Sequence, residues 1–121
     1  MTVTKAFRDA MKTGMVVAPG AYDCITARSI ERAGFSAVYM TGGGTAASLG
    51  YPDYGLLTMT EMADNAGRIA ASVKLPVIAD ADTGYGNELN AIRTVREYER
   101  RVCGGFAGRV AAAGGCAAAL Y

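Results

Sequence analysis

The 121-residue chain has no histidine and no tryptophan, and only three prolines and three cysteines. Without histidine, the commonest general base is missing, and so is every Ser–His or Cys–His nucleophile pair. The cysteines, Cys24, Cys103 and Cys116, fit neither a paired disulfide framework nor a C-x-x-C metal spacing. Reduced thiols in a cytoplasmic protein are therefore expected. Charge of one sign is also lacking. Twelve Lys and Arg against eleven Asp and Glu leave a net charge of +1, too little to form a footprint for nucleic acid or an acidic membrane surface. No apolar run approaches the roughly 18 residues of a membrane span, and the first nine residues hold no signal-peptide core. What remains is a chain of ordinary single-domain size in which 51% of residues are hydrophobic, enough to bury a core.

Hydrophobic spacing orders the chain. Val3, Ala6, Phe7, Ala10 and Met11 form one stripe of a short helix over residues 3–13, ended by Thr13-Gly14. Met15-Val16-Val17-Ala18 reads as a strand closed by Pro19-Gly20. Asp23 is placed to cap a helix over about Ile25 to Ala33, with Gly34 as its stop. Ser36 to Met40 is the next strand, followed by Thr41-Gly42-Gly43-Gly44, where backbone N–H groups can approach a ligand closely. A long loop is expected from about Thr45 to Leu57, and long loops in compact domains are more often functional than idle. Thr58-Met59-Thr60-Glu61 is a capping box. The helix it opens carries Met59, Met62, Ala63, Ala66, Ile69, Ala70 and Val73 at helical spacing, with the methionines as core filler. Asn87 is placed to cap a further helix with Leu89, Ile92, Val95 and Tyr98 facing inward and Arg93, Arg96, Glu97 and Arg100 outward. Short apolar strands alternating with longer amphipathic helices are the pattern of a parallel sheet with crossover helices.

The stretch that carries chemistry is Val77-Ile78-Ala79-Asp80-Ala81-Asp82-Thr83-Gly84-Tyr85-Gly86. It begins as an apolar strand and ends in two carboxylates two residues apart, followed by a sharp turn. Hard cations such as Mg²⁺ take one or two carboxylates plus waters and substrate oxygens. On spacing alone, Asp80 and Asp82 could equally stabilise a turn and cap the next helix. The rest of the chain favours a site. Polar or glycine residues follow three separate strand ends, at Asp23, at Thr41 to Gly44 and at Asp80 and Asp82, and ligands of parallel α/β folds bind at those ends.

At Arg101 the composition changes. Residues 101–121 hold seven Ala, five Gly, two Cys and two Arg, and none of the eleven acidic residues. Val102 to Phe106 makes a poor fourth strand, since glycine weakens strands. Val110 to Ala113 could form a helical turn, but Gly114-Gly115 interrupts it. This composition is what a GC-rich gene gives when read out of frame; a natural low-complexity tail is the alternative. The division expected is residues 1–100 against an aberrant tail, 101–121.

As a set, Pro19-Gly20-Ala21-Tyr22-Asp23, Tyr39-Met40-Thr41-Gly42-Gly43-Gly44, Gly50-Tyr51-Pro52-Asp53 and Asp80-Ala81-Asp82-Thr83-Gly84-Tyr85-Gly86 resemble the isocitrate lyase/phosphoenolpyruvate mutase superfamily. The similarity covers about residues 5–100 and points to its methylisocitrate lyase-like, dimethylmalate lyase-like, carboxyphosphonoenolpyruvate phosphonomutase-like and oxaloacetate decarboxylase members. It implies an α/β fold, the N-terminal portion of a TIM (β/α)₈ barrel, with about three βα units after a short helix. It further implies Mg²⁺ held by Asp80 and Asp82, a substrate carboxylate or enolate end held by Tyr39, Thr41, Gly42 and Gly43, and Asp53 as a loop acid near the reacting centre. The chemistry implied is cleavage or rearrangement beside a 2-oxo acid, with Mg²⁺ facing the developing negative charge. A small carboxylate is then the expected partner, with homo-oligomers expected of full-length members.

A whole barrel needs roughly 200 residues or more. The family's Glu-Asp motif after the fourth strand and its Lys-Cys-Gly-His-like gating loop do not occur in this sequence. The chain alone is therefore expected to be truncated and inactive. Two other readings stay open. One is a non-catalytic interaction module, whose exposed sheet edges pair with another copy or a homologue. The other is a phosphate-binding domain using Gly42 to Gly44, although no lysine sits beside them as in a P-loop.

Overall fold

The computed structural model describes residues 3–103 and 110–113. The elements run α1 (Val3–Thr13), β1 (Gly20–Ala21), α2 (Cys24–Arg32), β2 (Val38–Met40), α3 (Gly42–Ser48), α4 (Met59–Ser72), β3 (Val77–Asp80), α5 (Glu88–Cys103) and β4 (Val110–Ala113). The strands form one parallel sheet in the order β1-β2-β3-β4, with helices at each crossover. Register is set by Gly20 opposite Tyr39, Val38 opposite Val77, and Val77 opposite Val110.

Local chemistry explains the helix starts. The Asp23 carboxylate accepts from the Thr26 N–H at 2.8 Å, while the Thr26 hydroxyl accepts from the Asp23 N–H at 3.2 Å. Thr58 and Glu61 close the same reciprocal box on α4. Asn87 Oδ1 accepts from the Leu89 and Asn90 N–H groups at the head of α5. Each bond satisfies a donor that the first turn of a helix leaves unpaired.

The strand period of two sorts the sheet. Val38, Met40, Val77 and Ala79 are buried on one face, in one core with Ile30, Ala63, Ala66, Ile69, Tyr98 and Val102 from the helices. Tyr39, Ile78 and Asp80 fall on the other face and are only half-buried. Helix α4 lies against both α2 and α5. At its crossing with α5 stands Gly67, where a Cβ would come within 3.1 Å of the Arg101 carbonyl oxygen. Arg101 also pairs with Asp64 across that crossing and, at 3.4 Å, with Glu97 on its own helix.

Four expectations are corrected. The first strand is Gly20–Ala21 and not Met15 to Ala18, because pairing with β2 begins where the Pro19 carbonyl accepts from the Tyr39 N–H. The expected loop from Thr45 begins instead with a helix. Thr41 caps α3 by accepting from the Gly44 N–H, and the Thr45 hydroxyl donates to the Thr41 carbonyl at 2.6 Å. Leu89 and Ile92 do not face inward: they are 69% and 50% exposed, and the inward face of α5 is carried by Thr94, Tyr98 and Val102. Residues Val110–Ala113 form a strand against β3 and not a helical turn. The composition change at Arg101 falls inside α5, which continues to Cys103. Gly104 to Phe106, Gly114-Gly115 and Cys116 lie outside the described residues.

Candidate functional site

Beyond the C-terminal ends of β2 and β3 opens a cleft of about 280 Å³, lined by Gly42, Asp53, Tyr54, Gly55, Asp80, Asp82 and Tyr85 among others. Among the described residues, its lining includes three aspartates and no Lys or Arg. Uncompensated carboxylates around a concave, partly desolvated space make it attractive to a cation.

Asp80, the last residue of β3, is held at both oxygens. Oδ2 accepts from the Tyr39 hydroxyl and the Gly42 N–H, each at 3.2 Å, and Oδ1 accepts from the Asp82 N–H at 2.8 Å. Gly42 is needed for this approach, because a Cβ there would collide with Asp80 Oδ2. Asp53, arriving on the loop before α4, sits over Gly43, where a Cβ would meet Asp53 Oδ2 at 2.8 Å. Asp82 has left-handed backbone geometry (φ 46°), as does Tyr85 (φ 61°), so the turn after β3 holds two non-glycine residues in a costly conformation.

The tyrosines around this end of the sheet are kept neutral. Burial, and then the Asp80 charge, raises Tyr39 above the ordinary phenol value. Burial pushes Tyr85 up to about 12. Tyr98 is raised by burial and by its bond to Tyr85. The Tyr85 and Tyr98 hydroxyls lie 3.2 Å apart, and the Tyr98 hydroxyl donates to the Asp80 carbonyl at 2.8 Å.

Of the residues singled out from sequence, Tyr39, Gly42, Gly43, Asp53, Asp80 and Asp82 converge here. Thr41 does not bring its hydroxyl to the cleft, since that group caps α3. Sequence reasoning did not single out Thr94 and Tyr98 for the site. Their signal was two hydroxyls four residues apart on the inner face of the helix that follows the acidic turn.

The donor set fits Mg²⁺. Among the described residues, no three His, Cys, Asp or Glu side chains form a protein cage for an ion. Two carboxylates beside an open cleft suit a cation that keeps several waters and takes oxygens from its substrate.

A family model, phosphoenolpyruvate phosphomutase, matches residues 7–107. The chain belongs to the phosphoenolpyruvate mutase/isocitrate lyase superfamily. Among its superfamily relatives, 2,3-dimethylmalate lyase of Eubacterium barkeri is 58% identical over 102 residues, covering 83% of this chain and 35% of the relative. The 2-methylisocitrate lyase of Aeropyrum pernix is 48% identical over 89 residues, covering 74% and 29%. A crystal structure of 2,3-dimethylmalate lyase aligns at a TM-score of 0.76 with 46% identity, covering 84% of this chain and 37% of that one. Phosphonopyruvate hydrolase in complex with oxalate and Mg²⁺ aligns at 0.80 with 34% identity, covering 84% and 36%. The chain thus spans about a third of the length of the curated relatives it matches. Its parallel sheet with crossover helices is a portion of the superfamily's TIM barrel. Among the described residues, no helix is long and apolar enough to cross a membrane.

Proposed function

We propose that this chain carries the metal-binding and carboxylate-binding part of a Mg²⁺-dependent carbon–carbon lyase or phosphonomutase. The observation that carries the proposal is the convergence of Asp80 and Asp82 with the Gly42 N–H and Asp53 around a cleft whose lining, among the described residues, includes no cationic side chain. An anionic substrate does not enter a cleft of three carboxylates unless a cation offsets their charge. Asp80 and Asp82 would hold Mg²⁺, directly or through water. When bound, the ion supplies positive charge against the enolate that forms as a bond beside a 2-oxo acid breaks.

The chain's own residues do the rest. The Tyr39 hydroxyl, kept protonated by burial and by Asp80, donates to one carboxylate oxygen of Asp80 and helps to orient it. With the Gly42 N–H engaged by Asp80, the neighbouring Gly43 backbone of α3 would meet the substrate's carboxylate end. Asp53, which sits over Gly43, would be the loop acid near the reacting centre. The names of the similar proteins suggest the substrate class: small di- or tricarboxylates of the dimethylmalate, methylisocitrate or oxaloacetate kind, or their phosphonate counterparts.

The test is a Mg²⁺ titration read by thermal unfolding, beside an assay for pyruvate release from 2,3-dimethylmalate. Wild type should gain stability with Mg²⁺, and Asp80→Asn and Asp82→Asn should abolish the gain. A shift that survives both substitutions sinks the metal assignment. A folded chain that binds Mg²⁺ but releases no pyruvate places the activity in parts of the barrel this chain does not supply.

A further inference from the structure

Helix α5 touches the acidic turn at two points. The Tyr98 hydroxyl donates to the Asp80 carbonyl, and the Thr94 hydroxyl donates to the Gly84 carbonyl, both at 2.8 Å. The two residues are four apart, so they stand one above the other on the same helix face. Both are buried, at 1% and 2% exposure. Burial alone does not call for hydroxyls here; Phe and Val would fill the same space. What the hydroxyls add is a fixed partner for a carbonyl at each end of the segment Asp80 to Gly84. Asp82 lies between those anchors with its backbone in the left-handed region. Such a conformation persists only where its surroundings over-determine it.

We propose that Thr94 and Tyr98 are positioning residues that hold the Asp80–Asp82 pair in its metal-binding geometry. The inference rests on the metal assignment above, so its test reads the loop and the metal separately. The first readout is amide exchange in the metal-free full chain, at the Asp82 N–H (to Asp80 Oδ1, 2.8 Å) and the Gly84 N–H (to the Ala81 carbonyl, 3.0 Å), with the Met62 N–H of α4 as internal reference. The second is Mg²⁺ affinity by calorimetry.

Tyr98→Phe and Thr94→Val should each speed exchange at Asp82 and Gly84 by about tenfold or more relative to Met62. Each should also weaken Mg²⁺ binding by about tenfold, the low end for losing an outer partner of a metal ligand. Thr94→Ser, which restores the hydroxyl, should retain both properties. Ile69→Val, a core change away from the turn, should alter neither. Unchanged exchange at Asp82 and Gly84 in both variants overturns the proposal. So does faster exchange with wild-type Mg²⁺ affinity in a chain where Asp82→Asn abolishes binding. If Asp80→Asn and Asp82→Asn leave Mg²⁺ binding intact, it is the metal assignment that fails, and the exchange data alone decide whether α5 orders the turn.

Discussion

Gly42 is the residue on which the site's geometry closes. Its N–H reaches Asp80 Oδ2 at 3.2 Å, and its missing side chain leaves the space that this oxygen occupies. Asp80 cannot yield easily, because Tyr39 holds the same oxygen and the Asp82 N–H holds the other. Gly42→Ala should therefore rotate the Asp80 carboxylate out of place and weaken Mg²⁺ binding by about tenfold, within the range of outer-partner losses. Stability without metal should fall as well, by about 1–3 kcal/mol as in other overpacked sites, less what alanine regains in helix propensity. Mg²⁺ calorimetry beside urea unfolding checks both halves; an unchanged affinity would show that Asp80 does not need the Gly42 contact. At this scale the acids were legible in the sequence, because a strand ending in Asp-Ala-Asp before a Gly-rich turn is a local pattern. The partners that aim them were not. Tyr98 reads as core from its spacing, and only the fold shows that its hydroxyl ends on the Asp80 carbonyl.

The helices show which signals survive without tertiary context. α2 and α4 begin where Asp23 and Thr58 place them, because a capping box is local chemistry. α3 was hidden, because three successive glycines disfavour helix on propensity alone. What overrides propensity is the Thr41 cap, the Thr45 hydroxyl and Asn65, whose side chain donates to the Tyr22 carbonyl at 2.9 Å and to the Thr45 hydroxyl at 3.1 Å. The α2 cap carries a pH prediction. Hydrogen bonds from the Thr26 backbone N–H, and next from its hydroxyl, hold the Asp23 carboxyl below its ordinary value of 3.8. A depressed carboxyl stabilises the fold above its unfolded value, and that contribution is lost as pH falls through the lower, folded value. Asn caps as well as Asp but does not titrate. Asp23→Asn should leave stability at pH 7 within about 0.5 kcal/mol of wild type and flatten the loss of stability below about pH 4. Urea unfolding from pH 2 to 7 checks it; an unaltered acid limb would mean that the cap does not contribute there.

Across the whole molecule, parallel pairing was readable from strand–helix alternation, but which apolar residues would be covered was not. Periodicity assigned Leu89 and Ile92 to the interior, yet both are exposed, with Met15 and Ile25 at 92% and 75%. A hydrophobic stripe says that a face is meant to be covered, not which element covers it. In this chain β1 pairs with β2 alone among the described strands, leaving its other edge open. Unpaired edges and exposed apolar residues favour association. For the 121-residue chain by itself, a second copy is a cover that can be tested directly. At micromolar concentrations, light scattering coupled to size exclusion should give a mass above the 12.5 kDa of one chain. The unfolding temperature should also rise with protein concentration, as mass action requires when association stabilises the fold. Leu89→Lys with Ile92→Lys should lower the mass if α5 supplies the contact, and leave it unchanged if the β1 edge does. A 12.5 kDa monomer with a concentration-independent unfolding temperature would rule out self-association. The exposed face would then be one that a lone chain tolerates, and the sheet edges would need no partner to remain folded.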